Sequence, residues 1–389
     1  MEKTAEKFRS YWLIVVVISS ILIVCTFHTP AYSFMQWFSK TTYMGEALVW
    51  WLNHPFSAVV PERIVAESSL HGDTRWLGYA PSHCDKLVFR VTLPLLNQVL
   101  RQGLLTLMLA SQVAAIFILV LVYKLLVRHT QDVVSASYAT WAFAACYAGR
   151  NGFYDFMFGD AVAVALLLGA MYVQRPWMVV PMLLAAAFTD ERALTATPLV
   201  ILYSFWKEDT LRGVFPGRHY FWVFWKSCWP ALVAILTYFI LRVAITQVEN
   251  LHLGTSQITL SNVISNYENS LPALFVDSFG GFWLVPILYI LCLIAAQGWK
   301  SSSAWLYFSL MALATVPAFL VADFERSLCY LFPGMVMAAC FLPFRRDDRR
   351  TLFAVVLAIS VLWSIPGSRI AFYPEHIVIR LYHDTKGLL

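Results

Sequence analysis

The chain has 389 residues, of which 59% are hydrophobic and only 13% charged, with 15 Trp and a mean hydropathy of +0.65. Soluble domains carry roughly 25% charged residues, so the composition excludes an ordinary soluble enzyme and points to an all-α polytopic membrane protein. The formal net charge of +5 would suggest a nucleic-acid partner in a soluble chain, but here the distribution of the charges matters more than their sum, and no nucleic-acid partner is expected.

A helix needs about 20 apolar residues to cross the hydrocarbon core, and about eleven segments approach that length. In chain order they are Tyr11 to Thr29, Leu104 to Val127, Val134 to Ala148, Ala161 to Val173, Trp177 to Phe188, Ala193 to Trp206, Trp225 to Ile245, Phe282 to Ala296, Ala304 to Val321, Leu328 to Phe344 and Thr351 to Ile365. Lys3, Lys7 and Arg9 precede the first as they would precede a signal peptide. The run HTPAYSF at its far end holds no small-residue cleavage site, which predicts a retained anchor. Residues 30–103 then form the longest polar stretch, expected on the outer face. There Tyr32, Trp37, Trp50, Trp51 and Trp76 mix with polar residues in the manner of amphipathic helices lying at the headgroup level. A second outer stretch, 247–281, contains NYENSLPALFVDSFGG and is expected to form a smaller lid or half-buried helix. The whole of 1–389 reads as a single transmembrane domain.

Pro181, Pro198, Pro230, Pro286, Pro317 and Pro333 lie within or at the ends of spans. Each removes a backbone hydrogen bond and favours a kink, and bent helices leave room for a cavity between them. Of the seven cysteines only Cys84 lies clearly in a loop, and no pair has metal-ligand spacing, so neither a disulfide framework nor a bound metal is indicated. With the amino terminus inside and eleven crossings, 15 of the 28 Lys and Arg residues fall inside, ending in the RRDDRR run at Arg345 to Arg350. The short outer turns carry only Arg150, Arg192 and Arg326, as the positive-inside rule requires. No internal repeat is evident.

That topology puts three charged interruptions on the outer side. They are Asp155 and Asp160 in RNGFYDFMFGD, Asp190, Glu191 and Arg192 in TDER, and Asp323, Glu325 and Arg326 in ADFER. Loops are polar because water is there, but these turns are so short that their charges sit at or just inside the interface, where side chains snorkel or pair. Asp323 and Arg326 are three apart and share a face if the helix runs through them, so a structural salt bridge is as good a reading as a catalytic role. The long loop ends in HCDKLVFRVTLPLLNQ, with His83, Asp85, Lys86 and Arg90 leading into the second span. Arginine suits bidentate phosphate contacts, although interfacial anchoring explains these residues equally well. Arg242 lies about one turn inside the outer boundary, where it snorkels or faces a ligand, and His28 and His54 read as interfacial. No nucleotide-binding phosphate loop, H-E-x-x-H helix or G-x-S-x-G elbow is present. With no large inner domain for a nucleotide sugar, a transferase of this shape needs a lipid-borne donor.

In architecture, most of the chain resembles the GT-C superfamily of polytopic glycosyltransferases. Local likenesses are FRVTLPLLNQVL at Phe89 to Leu100, similar to an R-x-x-x-P entry into the second span, and the stretch from Asp160 to Leu194, similar to a module ending in (D/E)-R. ADFERSLCYLFPGM at Ala322 to Met335 is similar to a D-x-x-R-x-x-x-x-x-x-P turn. The chain departs from many members in having no Asp-Glu pair soon after the first span, its first outer acid being Glu46. The resemblance implies sugar transfer from a polyprenyl-phosphate donor to an acceptor hydroxyl at the outer face, with no further cofactor. A carboxylate would take the acceptor proton, with Asp155, Asp160, Glu191 and Asp85 as candidates. Arg90, Arg192 and Arg326 would hold the phosphate with Arg242 behind them, and His83 and Asp323 would complete the binding set. The short basic inner loops and compact length favour a bacterial inner membrane over that of the endoplasmic reticulum, and the amino terminus is expected on the cytoplasmic side. Three other readings stand beside the transferase: a transporter or flippase for a lipid-linked sugar, a non-catalytic subunit of a membrane assembly, and a polymerase or ligase of lipid-linked oligosaccharide. A transporter would carry polar residues at the bilayer midplane, and apart from Arg242 the span interiors are nearly free of charge.

Overall fold

The computed structural model describes residues 2–27, 50–56, 89–154, 159–207, 218–248, 271–320, 324–364, 366–370 and 373–376. In chain order the helices are α1 (Glu2–Phe27), α2 (Thr92–Leu100), α3 (Leu104–Thr130), α4 (Val133–Ala145), α5 (Tyr147–Tyr154), α6 (Asp160–Val173), α7 (Pro176–Thr189) and α8 (Ala193–Lys207). They continue with α9 (Arg218–Val248), α10 (Leu271–Phe279), α11 (Leu284–Gln297), α12 (Ser302–Thr315), α13 (Phe324–Leu328), α14 (Phe332–Phe341) and α15 (Arg346–Ser364). Short 3₁₀ turns at Gly280–Trp283, Val316–Leu320 and Cys329–Leu331 join the later helices. Pro366–Ile370 and Tyr373–His376 pair as two antiparallel strands, β1 and β2, a small addition to the all-helical expectation.

A helix is found in each of the eleven apolar segments. Four stretches, Leu105–Thr130, Trp225–Val248, Leu274–Gln297 and Ser302–Phe319, are long and apolar enough to cross a bilayer, consistent with an integral membrane protein. Others, such as Asp160–Val173 and Pro176–Thr189, are apolar but shorter. The outer surface of α9 fits lipid as solvent: Leu236 is 61% exposed and Ile240 67%, on a helix that in water would have to bury both.

The chain divides into two compact units, and α3 contributes to both. The first comprises Met1–Thr29, Ala115–Asn151 and Ser265–Leu389. In it α15 lies along α4, α1 packs on α4, and α11 packs on α12 and α14. The core is aromatic, with Phe143 stacked on Phe332 at 3.7 Å and Tyr289 edge-on to Tyr307. The α1 and α4 pair is held by reciprocal bonds: Trp12 Nε1 donates to Ser137 Oγ at 2.9 Å and Trp141 Nε1 to Ser19 Oγ at 2.7 Å. At one end of α4, Asp132 accepts two hydrogen bonds of 2.9 Å from Arg350 and one of 2.7 Å from Ser135, which clasps the first turn of α15.

Between α4 and α5 the helix breaks at Cys146, whose backbone is extended. The chain folds back so tightly that a Cβ on Gly149 would sit 2.1 Å from the Phe143 carbonyl oxygen. Only glycine permits that approach.

The second unit comprises Pro30–Ala114 and Gly152–Ile264, with α6, α7, α8 and α9 packed on one another and α2 on α7. Asn97, buried at the end of α2, donates to Leu52 O and Asn53 Oδ1 and accepts from Gly103 N and Thr106 Oγ1. Its four bonds fix the turn between α2 and α3, where Arg101 adopts a left-handed conformation. Thr92 Oγ1 donates to Ala185 O at 2.8 Å and ties the start of α2 to α7. Gly159 caps α6 at φ +73°, and a Cβ there would meet Leu93 Cδ1 at 2.5 Å, so the start of α6 is pressed against α2.

Candidate functional site

Three chain segments of the second unit bring charge together where α2, α6, α7 and α8 begin or end. Asp160 stands in the first turn of α6, where the unpaired N–H groups and the helix dipole favour a carboxylate. Asp190 follows the last residue of α7 in extended backbone, and its Oδ1 accepts from the Arg192 N–H at 2.9 Å, which shapes the turn into α8. Arg90 lies two residues before the start of α2, next to its N-cap residue Val91.

The side chains form one network. Arg192 donates through Nε to Asp190 Oδ1 at 2.8 Å and through Nη2 to Asp190 Oδ2 and Asp160 Oδ1, both at 2.7 Å. Arg90 Nη2 lies 3.1 Å from the same Asp190 Oδ2, and Arg90 also donates through Nε and Nη2 to the two oxygens of Glu191 at 3.3 Å. Asp190 is thus a bridge between two guanidinium groups. Burial alone would raise its pKa, but the Arg192 and Arg90 charges outweigh that and hold the carboxyl well below the usual carboxylate range.

Exposure grades the network. The side chains of Asp190, Asp160 and Arg192 are 0%, 1% and 7% exposed, Arg90 is 12%, and Glu191 reaches 32%. Short charge-assisted bonds lie inside and longer ones outside, so the buried trio forms a rigid base and Glu191 is its accessible rim.

Arg242, on α9, completes the rim. Its guanidinium lies 4.1 Å above the centroid of the Phe89 ring and donates to Tyr238 Oη, while Tyr238 packs on Phe188 at 4.8 Å. Among the described residues Arg242 has aromatic and hydroxyl neighbours but no carboxylate partner, whereas Arg90 and Arg192 each have two. A cation stacked on an aromatic face retains its charge for an anionic ligand.

The structure therefore brings together Asp160, Glu191, Arg90, Arg192 and Arg242 of the sequence candidates. Arg326 lies buried on α13 of the other unit. Asp155, Asp85, His83 and Asp323 lie outside the described residues. Sequence reasoning did not single out Asp190 as a site residue, nor the aromatic pair Phe89 and Tyr238. Asp190 was legible as the acid before Glu191, but nothing in the spacing reveals that it bridges two arginines.

Among the described residues no group of three or more His, Cys, Asp or Glu side chains is placed to hold a metal ion. No protein-family model, curated protein or solved structure matches the chain.

Proposed function

We propose that the chain is a membrane glycosyltransferase of GT-C type, with about eleven spans, moving a sugar from a polyprenyl-phosphate donor to an acceptor hydroxyl at the outer face of a bacterial inner membrane. The observation that carries this reading is a partly exposed carboxylate, Glu191, held by Arg90, with Arg242 stacked on the ring of Phe89 next to that arginine, above a buried ionic base. Glu191 is the general base and takes the proton as the acceptor oxygen forms its bond to the anomeric carbon. The bond from that carbon to the phosphate oxygen breaks, and Arg242 with the outer edge of Arg90 stabilises the charge gathering on the departing lipid phosphate. Arg192, Asp190 and Asp160 act through their neighbours as positioning residues, since their buried groups are spent on one another. Among the described residues Glu191 is the one accessible carboxylate at this rim, which fits direct displacement and a product of inverted anomeric configuration.

The test is transfer by the purified protein in lipid, with a short-chain polyprenyl-phosphate sugar as donor. Glu191→Gln is expected to abolish transfer while donor binding and folding persist. Full activity in that variant would remove Glu191 as the base.

A further inference from the structure

The lengths of the helices that end at the Asp190 network set its depth in a bilayer. α6 and α7 have 14 residues each and α8 has 15, a rise of about 21 to 23 Å apiece. The hydrocarbon core is about 30 Å thick. Asp160 opens α6 and Asp190 follows α7, so both helices run from the network to the turn that joins them at Gln174 and Arg175. That turn has the character of an interface: Arg175 is exposed, and Trp177 beside it is 69% exposed. With the turn at the inner boundary, the network stands about 9 Å short of the outer one.

A second ruler is α9, which packs on α7 and α8. Trp222 and Trp225 are exposed near its inner end. From Trp225 to Arg242, which meets the rim through Phe89, the helix rises about 25 Å, again less than the thickness of the core. The helix then continues to Val248, about 9 Å further. Its outward side chains there remain apolar, with Val243 55% exposed and Val248 77%. Of the two polar residues in this last stretch, Thr246 turns back to donate to the Arg242 carbonyl and Gln247 stands next to the end. The stretch Trp225–Val248 as a whole is long and apolar enough to span. Surface suited to lipid therefore rises past the level at which Glu191, Arg90 and Arg242 lie.

Both rulers put the rim below the boundary of an undistorted leaflet, yet Glu191 is partly exposed, and an exposed carboxylate does not face acyl chains. We propose that the second unit thins the leaflet beside α6, α7 and α8, so that lipid headgroups and water descend about 5 to 9 Å to the rim, while acyl chains still cover α9 above Arg242. On the topology expected from the sequence this is the outer leaflet. Its lipids meet two surfaces: their phosphates come down to the level of Arg90 and Arg242, and their chains lie on the outward face of α9. Drawing a leaflet inward costs little per ångström compared with immersing an ionised carboxylate in hydrocarbon. The opposite placement, with the rim at a flat boundary, would pull Arg175 and Trp177 into the core and leave Val243 and Val248 in water. A lipid-borne phosphate thus reaches the rim without leaving its leaflet. The recess follows from helix length and exposure, whatever reaction the rim performs.

Nitroxide labels on the full-length protein in vesicles of phosphatidylcholine and phosphatidylglycerol test this. Glu191→Cys and Val243→Cys are each made in a background of Cys25→Ala, Cys84→Ala and Cys292→Ala. The two positions lie at nearly one level, so a flat bilayer gives them like surroundings and the recess gives them opposite ones. The Glu191 label is expected to collide with a water-soluble nickel chelate, and the Val243 label with dissolved oxygen but not with nickel, a several-fold difference in the ratio of the two collision rates. Nickel access at Val243 places the rim at an ordinary flat interface and overturns the proposal. Nickel exclusion at Glu191 means that neither water nor headgroups descend, and overturns it as well. Should Glu191→Cys fail to fold, the Val243 label on its exposed face decides: exclusion of nickel supports the proposal and access overturns it. Both readouts report depth and not transfer, so they stand or fall separately from the glycosyltransferase reading.

Discussion

Asp190 shows how one carboxylate can organise a site without doing chemistry. Its two oxygens accept from Arg192 at 2.8 and 2.7 Å while one of them also faces Arg90 at 3.1 Å, so both arginines take their orientation from it. Removing one partner of a buried ion pair strands the others, a cost of about 3–5 kcal/mol. Arg192→Gln, which removes the cation shared by Asp160 and Asp190 and leaves Arg90 on Asp190, should lower thermal stability by that order, whereas Glu191→Gln at the exposed rim should change it little. The pH dependence has a definite sign. The folded Asp190 carboxyl is held below its unfolded value, so its contribution is present above the ordinary carboxylate range and is lost as pH falls through the folded value. In Arg192→Gln the acid limb of the unfolding profile should therefore begin at higher pH than in the wild type.

At the scale of helices, hydropathy located the elements well because a run of apolar residues is itself the cause of burial in lipid. It located their internal breaks poorly. Val134 to Ala148 reads as one span, but the helix ends at Ala145 and restarts at Tyr147. Ala304 to Val321 likewise passes from α-helix to 3₁₀ at Val316, beside Pro317, which has no N–H to give the ladder. Apolar character carries no record of such hydrogen-bond changes. The site was legible to the same degree. TDER announces a charged turn between helices, but Asp160 lies 32 residues from Arg192 and Arg90 lies 101 from Glu191, so their meeting depends on the packing of α2, α6 and α7. The clasp between α4 and α15 is of the same long-range kind, with Asp132 and Arg350 separated by 218 residues. Asp132→Asn should release the first turn of α15 and speed tryptic cleavage at Arg345 to Arg350 relative to the wild type. Unchanged cleavage would show that apolar packing alone holds that turn.

For the molecule as a whole, sidedness is the premise on which the proposed chemistry rests, and cysteine offers a direct test. Cys146, Cys228, Cys329 and Cys340 are buried, Cys25 lies in α1 and Cys292 in α11, while Cys84 falls in the long polar stretch. A membrane-impermeant maleimide should label intact cells at Cys84, and Cys84→Ser should remove the signal. Labelling that appears only after permeabilisation would reverse the topology and with it the outer-face site. The reciprocal tryptophan and serine bonds between α1 and α4 bear on how such a molecule is made. Ser19 donates to Val15 O at 2.7 Å and Ser137 to Val133 O at 2.7 Å, so each hydroxyl satisfies its own helix as donor and serves the facing indole as acceptor. The first helix can therefore leave the ribosome, enter the bilayer and wait through the synthesis of more than a hundred residues with its hydroxyl protons already satisfied. When α4 arrives, docking adds two bonds and breaks none, so the order of insertion imposes no penalty on assembly.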